Sequence, residues 1–184
     1  LLVMLCNFAV AQQFITPTSY RGAFAPAPAA MWTDQWTNFD PQNTVYPEVS
    51  GAGVTLPVVN VTSEITTDTH WTADKVYYLK AQIYVKTGAT LTIDAGTVIR
   101  ADHTAVGAGL FVTKGSKLIA NGTASQPIVF TSDNAVGSRN KGDWGGIILL
   151  GKGAYNLNNG IGNIEGIAPS ADTQYGGGTS PDNN

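Results

Sequence analysis

The chain has 184 residues and a net charge of -3 at pH 7, with 43% hydrophobic and 12% charged residues. This composition is typical of a folded domain with a core and excludes disordered and collagen-like classes. Apolar runs of roughly 20 residues, which a membrane-spanning helix requires, do not occur. The sequence pI of about 5.1 argues against a broad basic face, so we do not expect nucleic acid as a partner.

The first eleven residues, LLVMLCNFAVA, are typical of the apolar part of a secretory signal peptide. Their last three residues form a small-x-small pattern, which predicts cleavage between Ala11 and Gln12. We therefore interpret residues 1–11 as a partial signal peptide and expect export. A buried N-terminal strand is the alternative interpretation of so short an apolar run. Cys6 is the only cysteine, so the mature chain is predicted to use neither disulfides nor thiolate chemistry.

Residues 12–58 are repeatedly interrupted by proline, which disfavours both helices and sheet ladders. The segment also contains Trp32 and Trp36. We interpret it as an irregular N-terminal cap, with both tryptophans packed over the first part of the folded domain. Exposed tryptophan pairs also bind sugars, so a carbohydrate-binding surface is the alternative.

A short pattern occurs twice in the middle of the chain. IYVKTGATL at 83–91 is followed 27 residues later by LFVTKGSKL at 110–118, and a third, imperfect copy begins at Gly146. Each copy alternates apolar and polar side chains around a glycine, which is typical of short strands joined by tight turns. No helix fits between the copies, so the pattern predicts an all-β parallel solenoid.

We expect the coils of this solenoid to occupy residues 59–184, with positions 83/110, 85/112 and 91/118 stacked inward. The Asn- and Gly-rich tail from Asn156 lacks the apolar residues to cover a last coil. We interpret it as part of a long loop, and the chain as a fragment of a longer protein whose solenoid is incomplete at its C-terminal end.

Six runs in the chain form a recognisable set: PIVFTS at 127–132, GDWGGIILLG at 142–151, NIEG at 163–166 and YGGG at 175–178, with YRGAF at 20–24 and WTNFDP at 36–41 upstream. Together these runs resemble a family of secreted bacterial right-handed parallel β-helix surface proteins. Members often carry a sorting domain for type IX secretion. The resemblance implies a right-handed β-helix at the cell surface or outer membrane, and it implies no particular activity.

Charged residues are densest at Asp133, Arg139, Lys141 and Asp143. Glycoside hydrolysis needs two carboxyl groups held about 5 to 9.5 Å apart, and nothing in this spacing ensures it. Solvated turn residues are therefore the simpler interpretation. As a set, these four residues remain the first choice for a ligand surface, and we assign no catalytic residue.

His70 and His103 each stand alone, without the paired spacing of a metal site, and we interpret both as surface residues. Asp172, Asp182 and Asn183 offer oxygen ligands of the kind calcium takes, but their spacing matches no defined loop. We therefore predict no metal and no cofactor.

Two functions follow as hypotheses. The first is a non-catalytic, secreted or surface-displayed β-helix that offers an elongated face for adhesion, with glycans or other surface proteins as partners. The alternative is a carbohydrate-active β-helix enzyme, a polysaccharide lyase or glycoside hydrolase, whose site lies partly outside these 184 residues.

Overall fold

The computed structural model shows an all-β molecule. It describes residues 55–154 and 160–179, together with residues 24, 26, 28, 29, 31, 40–46, 53 and 156. The chain divides into two compact units, Leu1–Thr37 and Asn38–Asn184, and the fold described below belongs to the second. The predicted cleavage site at Ala11 and Gln12 and the pair Trp32 and Trp36 lie outside the described residues.

Short strands of three or four residues make up the regular structure. In chain order they are β1 (Val58–Val61), β2 (Thr69–Trp71), β3 (Val76–Leu79), β4 (Gln82–Val85), β5 (Thr90–Ile93), β6 (Val98–Ala101), β7 (Gly109–Val112), β8 (Lys117–Ala120), β9 (Val129–Ser132), β10 (Gly146–Leu149), β11 (Ile161–Asn163) and β12 (Gln174–Gly176). No helix in the described part of the chain is long and apolar enough to cross a bilayer.

The first ten strands form three parallel sheets with the orders β1-β3-β6-β9, β2-β5-β8 and β4-β7-β10. Three consecutive strands make one coil, so β3, β4 and β5 lie under β6, β7 and β8. Each strand pairs with the strand one coil away rather than with its neighbour in sequence. The fold is the right-handed parallel β-helix that the repeat and the resemblance predict.

The register confirms the stacked positions. Ile83 pairs with Leu110 and Val85 with Val112 in one sheet, and Leu91 pairs with Leu118 in another. The imperfect third copy also lies in register, with β10 paired along the whole length of β7. The repeat is obscured before β10 because residues 133–145 form an inserted loop between β9 and β10.

Apolar side chains fill the interior because alternate residues of every strand point inward. Leu79, Ile83 and Leu110 are fully buried. In the last coil, Ile147 and Leu149 occupy equivalent positions but are 40% and 63% exposed, since no described strand stacks over them. The interior is therefore closed by packing between coils, as in other solenoids.

Two of the three outer faces carry additional chain. Val76, Val98 and Val129 form a row on the outside of the β1-β3-β6-β9 sheet, and Tyr46 and Leu56 pack against it. This row gives residues 40–46, which we call the strap, an apolar surface on which to dock.

Strands β11 and β12 pair antiparallel as a hairpin, where the sequence predicts a long loop. The segment is tied to the β4-β7-β10 sheet at two levels. Asp172 lies 2.5 Å from Lys86, which follows β4, and the Gly176 amide donates to the Gly151 carbonyl after β10. Tyr175 fills the space beside Gly162, where an added Cβ would lie 2.4 Å from its ring. Only glycine at 162 allows this contact, and the sequence pattern does not show it.

Candidate functional site

One corner of the β-helix carries a connected group of polar contacts between coils. It connects β3 to β4, β6 to β7 and β9 to β10, and it lengthens from two residues at 80–81 to the loops 102–108 and 133–145. Lys80, Asp102 and Asp133 each follow a stacked strand directly. Their amides donate to carbonyls of the coil beneath, so the three side chains start from adjacent positions in one row.

Asp102 and Lys80 form the first part of this corner network. The Lys80 ammonium lies 2.6 Å from Asp102 Oδ2. The other oxygen, Oδ1, accepts hydrogen bonds from the Thr104 amide at 2.9 Å and the Thr104 hydroxyl at 2.6 Å. The hydrogen bond from Lys80 and then those from Thr104 hold the pKa of Asp102 far below its ordinary value. Both oxygens are thus engaged within the protein.

Asp133 forms the second part, with two partners. Its Oδ1 accepts hydrogen bonds from the His103 amide at 2.9 Å and ring Nδ1 at 2.7 Å, and the Tyr78 hydroxyl donates to Oδ2. Burial works to raise the pKa of Asp133, but the hydrogen bonds from Tyr78 and His103 outweigh it, and the pKa is lowered. Burial and then the bond to Asp133 raise the pKa of Tyr78. Because Asp133 is ionised, Nδ1 of His103 carries a proton, and Nε2 is the basic nitrogen of the neutral ring.

Asp102, His103 and Asp133 present ligand atoms within 4.8 Å of one another, close enough to surround a cation. Lys80 already supplies a positive charge to this group, and a metal ion would have to displace it from Asp102. Both histidines stand alone in the sequence. Each is exposed as predicted, but each also bonds to an aspartate, His70 to Asp94 at 2.7 Å and His103 to Asp133. Only the coil register brings these pairs together.

The four residues of the predicted charge group make different contacts in the structure. They are Asp133, Arg139, Lys141 and Asp143. The hydroxyl of Ser132 and then the amide of Asn140 and the side chain of Asn134 lower the pKa of Asp143. Asp143 therefore holds the 133–145 loop together. Asp133 belongs to the corner network, whereas Lys141 is exposed.

Arg139 joins the loop to the strap. Its Nη1 donates to the carbonyls of Thr44 at 2.7 Å and Pro41 at 3.3 Å, and its guanidinium lies 5.0 Å from the centre of the Tyr46 ring. The sequence places these partners nearly a hundred residues apart, so no local signal could have indicated the contact.

A cavity of about 520 Å³ opens between the strap, β9 and the loop. Aromatic and polar side chains line it, and they include two cations but no carboxylate. The lining residues are Pro41, Gln42, Tyr46, Phe130, Thr131, Ser132, Arg139, Asn140, Lys141 and Trp144. Its volume is in the range of small-molecule and oligosaccharide sites. We call it the strap cavity.

The corner network should make the free energy of unfolding depend on pH in the acidic range. A carboxyl group whose pKa is lowered in the folded state contributes stability above its unfolded pKa of about 4, and this contribution is lost as the pH falls. Wild type should therefore exceed Asp102→Asn in free energy of unfolding at pH 7, with the difference shrinking below about pH 4. Urea denaturation at several pH values measures it. A difference that does not change with pH would contradict the role given to the Lys80–Asp102 pair.

The stacked parallel coils place the protein in the class of parallel β-helix proteins. Residues 63–184 match the model of the pectate-lyase-like β-helix domain, and the chain belongs to this family. Comparison with curated proteins gave no match, and neither did comparison with solved structures.

Proposed function

We propose that this chain is an exported, surface-displayed β-helix protein that binds acidic glycans in the strap cavity without cleaving them. The observation that carries the proposal is the cavity lining, in which Arg139 and Lys141 occur beside three aromatic rings and no carboxylate. Aromatic rings pack against the apolar faces of sugars, while amides and hydroxyls bond to sugar hydroxyls. The two cations favour sugars that carry carboxylate or sulfate groups.

The same lining supports binding without hydrolysis. A glycosidase needs an acid and a base or nucleophile, usually two carboxyl groups, on either side of the scissile bond. Asp133 and Asp143, the two acids of the predicted charge group, do not line the cavity. Each is committed to hydrogen bonds within the protein, Asp133 to His103 and Tyr78 and Asp143 to Asn134 and Asn140. Arg139 likewise serves the strap.

Export to the cell surface is proposed from the sequence of residues 1–11 and from the resemblance to secreted β-helix proteins. Under this proposal the mature chain begins at Gln12. Attachment through a type IX sorting domain is an extension of the same proposal, and partners other than glycans would be proteins of the surface layer.

A second candidate is a carbohydrate-active enzyme, a lyase or hydrolase. The observation that favours it is the His103–Asp133 pair, because an aspartate that fixes the protonated Nδ1 leaves Nε2 as a positioned base. His103 is exposed and reachable. Prolonged incubation with polygalacturonate, followed by chromatography of the products, separates the two candidates. Fragments made by wild type but not by His103→Ala would favour the enzyme.

Calorimetric titration with an oligogalacturonate tests the binding proposal. We expect saturable binding that Lys141→Glu weakens by at least about tenfold, because a charged contact contributes roughly 1.5 to 3 kcal/mol and the change also adds repulsion. Lys117→Glu is the matched control, since Lys117 is also exposed but lies on β8, outside the cavity. Equal losses in both variants would mean that only net charge matters, and no binding by wild type would refute the proposal.

A further inference from the structure

One wall of the strap cavity is formed by the strap, which lacks regular secondary structure. Its residues 41–43 make a turn that is closed by Asp40. The Asp40 carboxylate accepts from Asn43 Nδ2 at 2.8 Å, and the Asp40 carbonyl accepts from the Thr44 hydroxyl at 2.8 Å. Five of the seven strap residues, 40–43 and Val45, are exposed. The strap is therefore a small unit whose internal order does not depend on the sheet ladders.

The described contacts between the strap and the β-helix come from the 133–145 loop and from the valine row. Arg139 donates to two of its carbonyls, and the Gly137 amide donates to the Gln42 carbonyl at 2.8 Å. Tyr46 packs on the valine row. Segments with few buried contacts and solvent-exposed hydrogen bonds open with a small free energy compared with a core strand.

The opposite wall of the cavity belongs to rigid structure. Thr131 and Ser132 lie on β9, are buried, and pair through β9 with β6. Trp144 packs against the main core. Pro41, Gln42 and Tyr46 face them from the strap. A ligand that contacts both walls must bind the docked strap more tightly than the released strap, because release removes the contacts with Pro41, Gln42 and Tyr46.

We propose that the strap is a closing wall of the glycan site, so that bound glycan holds the strap docked and the order of the strap sets glycan affinity. This inference rests on the proposed function, and it adds a way in which glycan affinity is regulated. The coupling is reciprocal: the factor by which docking of the strap tightens glycan binding equals the factor by which bound glycan favours the docked strap.

Hydrogen exchange at the Gly137 amide reports strap release directly, since its acceptor is a strap carbonyl. If oligogalacturonate binds only the docked state, a concentration of ten times Kd should slow this exchange about elevenfold. Calorimetry on the same sample establishes whether the ligand is bound. Binding without added protection at Gly137 would overturn the strap inference alone, whereas no binding at all would overturn the proposed function and this inference with it.

Asp40→Ala provides the reciprocal test, because Asp40 orders the strap turn but does not line the cavity. We expect faster exchange at Gly137 and a several-fold higher Kd, with the free energy of global unfolding nearly unchanged. The matched control is Asp74→Ala, an exposed aspartate that accepts a hydrogen bond from Thr72 in another turn. An unchanged Kd in Asp40→Ala, or an equal rise in Asp74→Ala, would contradict the coupling.

Discussion

Replacing Val112 with aspartate is expected to unfold the β-helix. Val112 is 2% exposed and lies between Val85 of the coil below and Leu149 of the coil above. An aspartate there would bury a carboxyl group among apolar side chains, which costs several kcal/mol against a total stability of about 5 to 15 kcal/mol. Circular dichroism and urea denaturation should show loss of the folded state at room temperature.

Lys114→Asp is the control, two residues further along the same coil. Lys114 lies in the turn after β7 and is only partly buried, so its substitution should change the free energy of unfolding by about 1 kcal/mol or less. Comparable losses in the two variants would mean that the inward register assigned to Val85, Val112 and Leu149 is wrong.

Gly109→Val is expected to have the second largest effect on stability. Gly109 is buried at the start of β7, and a Cβ at this position would lie 2.7 Å from the Gly146 carbonyl oxygen. Backbone atoms cannot rotate away as a flexible side chain can, so β7 and β10 would have to separate. We expect a loss of about 3 kcal/mol, at the upper end of the range for overpacking, and thermal or urea unfolding measures it.

Gln82→Val separates this steric effect from the general effect of placing a valine at an equivalent position of the β4-β7-β10 sheet. Gln82 pairs with Gly109 in the ladder, but it is only partly buried. Valine favours strands, so the change should cost less than about 1 kcal/mol. If Gly109→Val lowered the free energy of unfolding as little as Gln82→Val, the close approach of β7 and β10 would not constrain the fold.

The β-helix could be predicted because its signal repeats along the chain. Ile83 and Leu110 are both apolar, and each precedes a turn glycine, Gly88 or Gly115, by five residues. Stacking requires this similarity, since each inward side chain packs on its equivalent one coil away. The coil pairing in the structure therefore follows from residues that are visible in the sequence.

The candidate site could be predicted only in part, because corners and straps do not repeat. Charge density in the sequence indicates Arg139 and Lys141, and both line the strap cavity. Their partners cannot be predicted from the sequence, for a physical reason. The 133–145 loop has no equivalent of similar length in earlier coils, and Arg139 reaches the strap carbonyls through tertiary packing. Likewise, Lys80 and Asp102 meet only because they follow strands that stack.

The most direct test of the binding site is a titration of the full chain with an oligogalacturonate, followed by nuclear magnetic resonance. The measured quantity is the chemical shift of each tryptophan indole. We predict a saturable shift of the resonance of the Trp144 indole, which lines the strap cavity. We predict no shift for Trp71, which is 4% exposed and stacks on Tyr77 with ring centres 4.6 Å apart. Saturable binding that moves the indoles of Trp32 or Trp36 and leaves Trp144 unchanged would contradict it and place the glycan on the N-terminal segment instead.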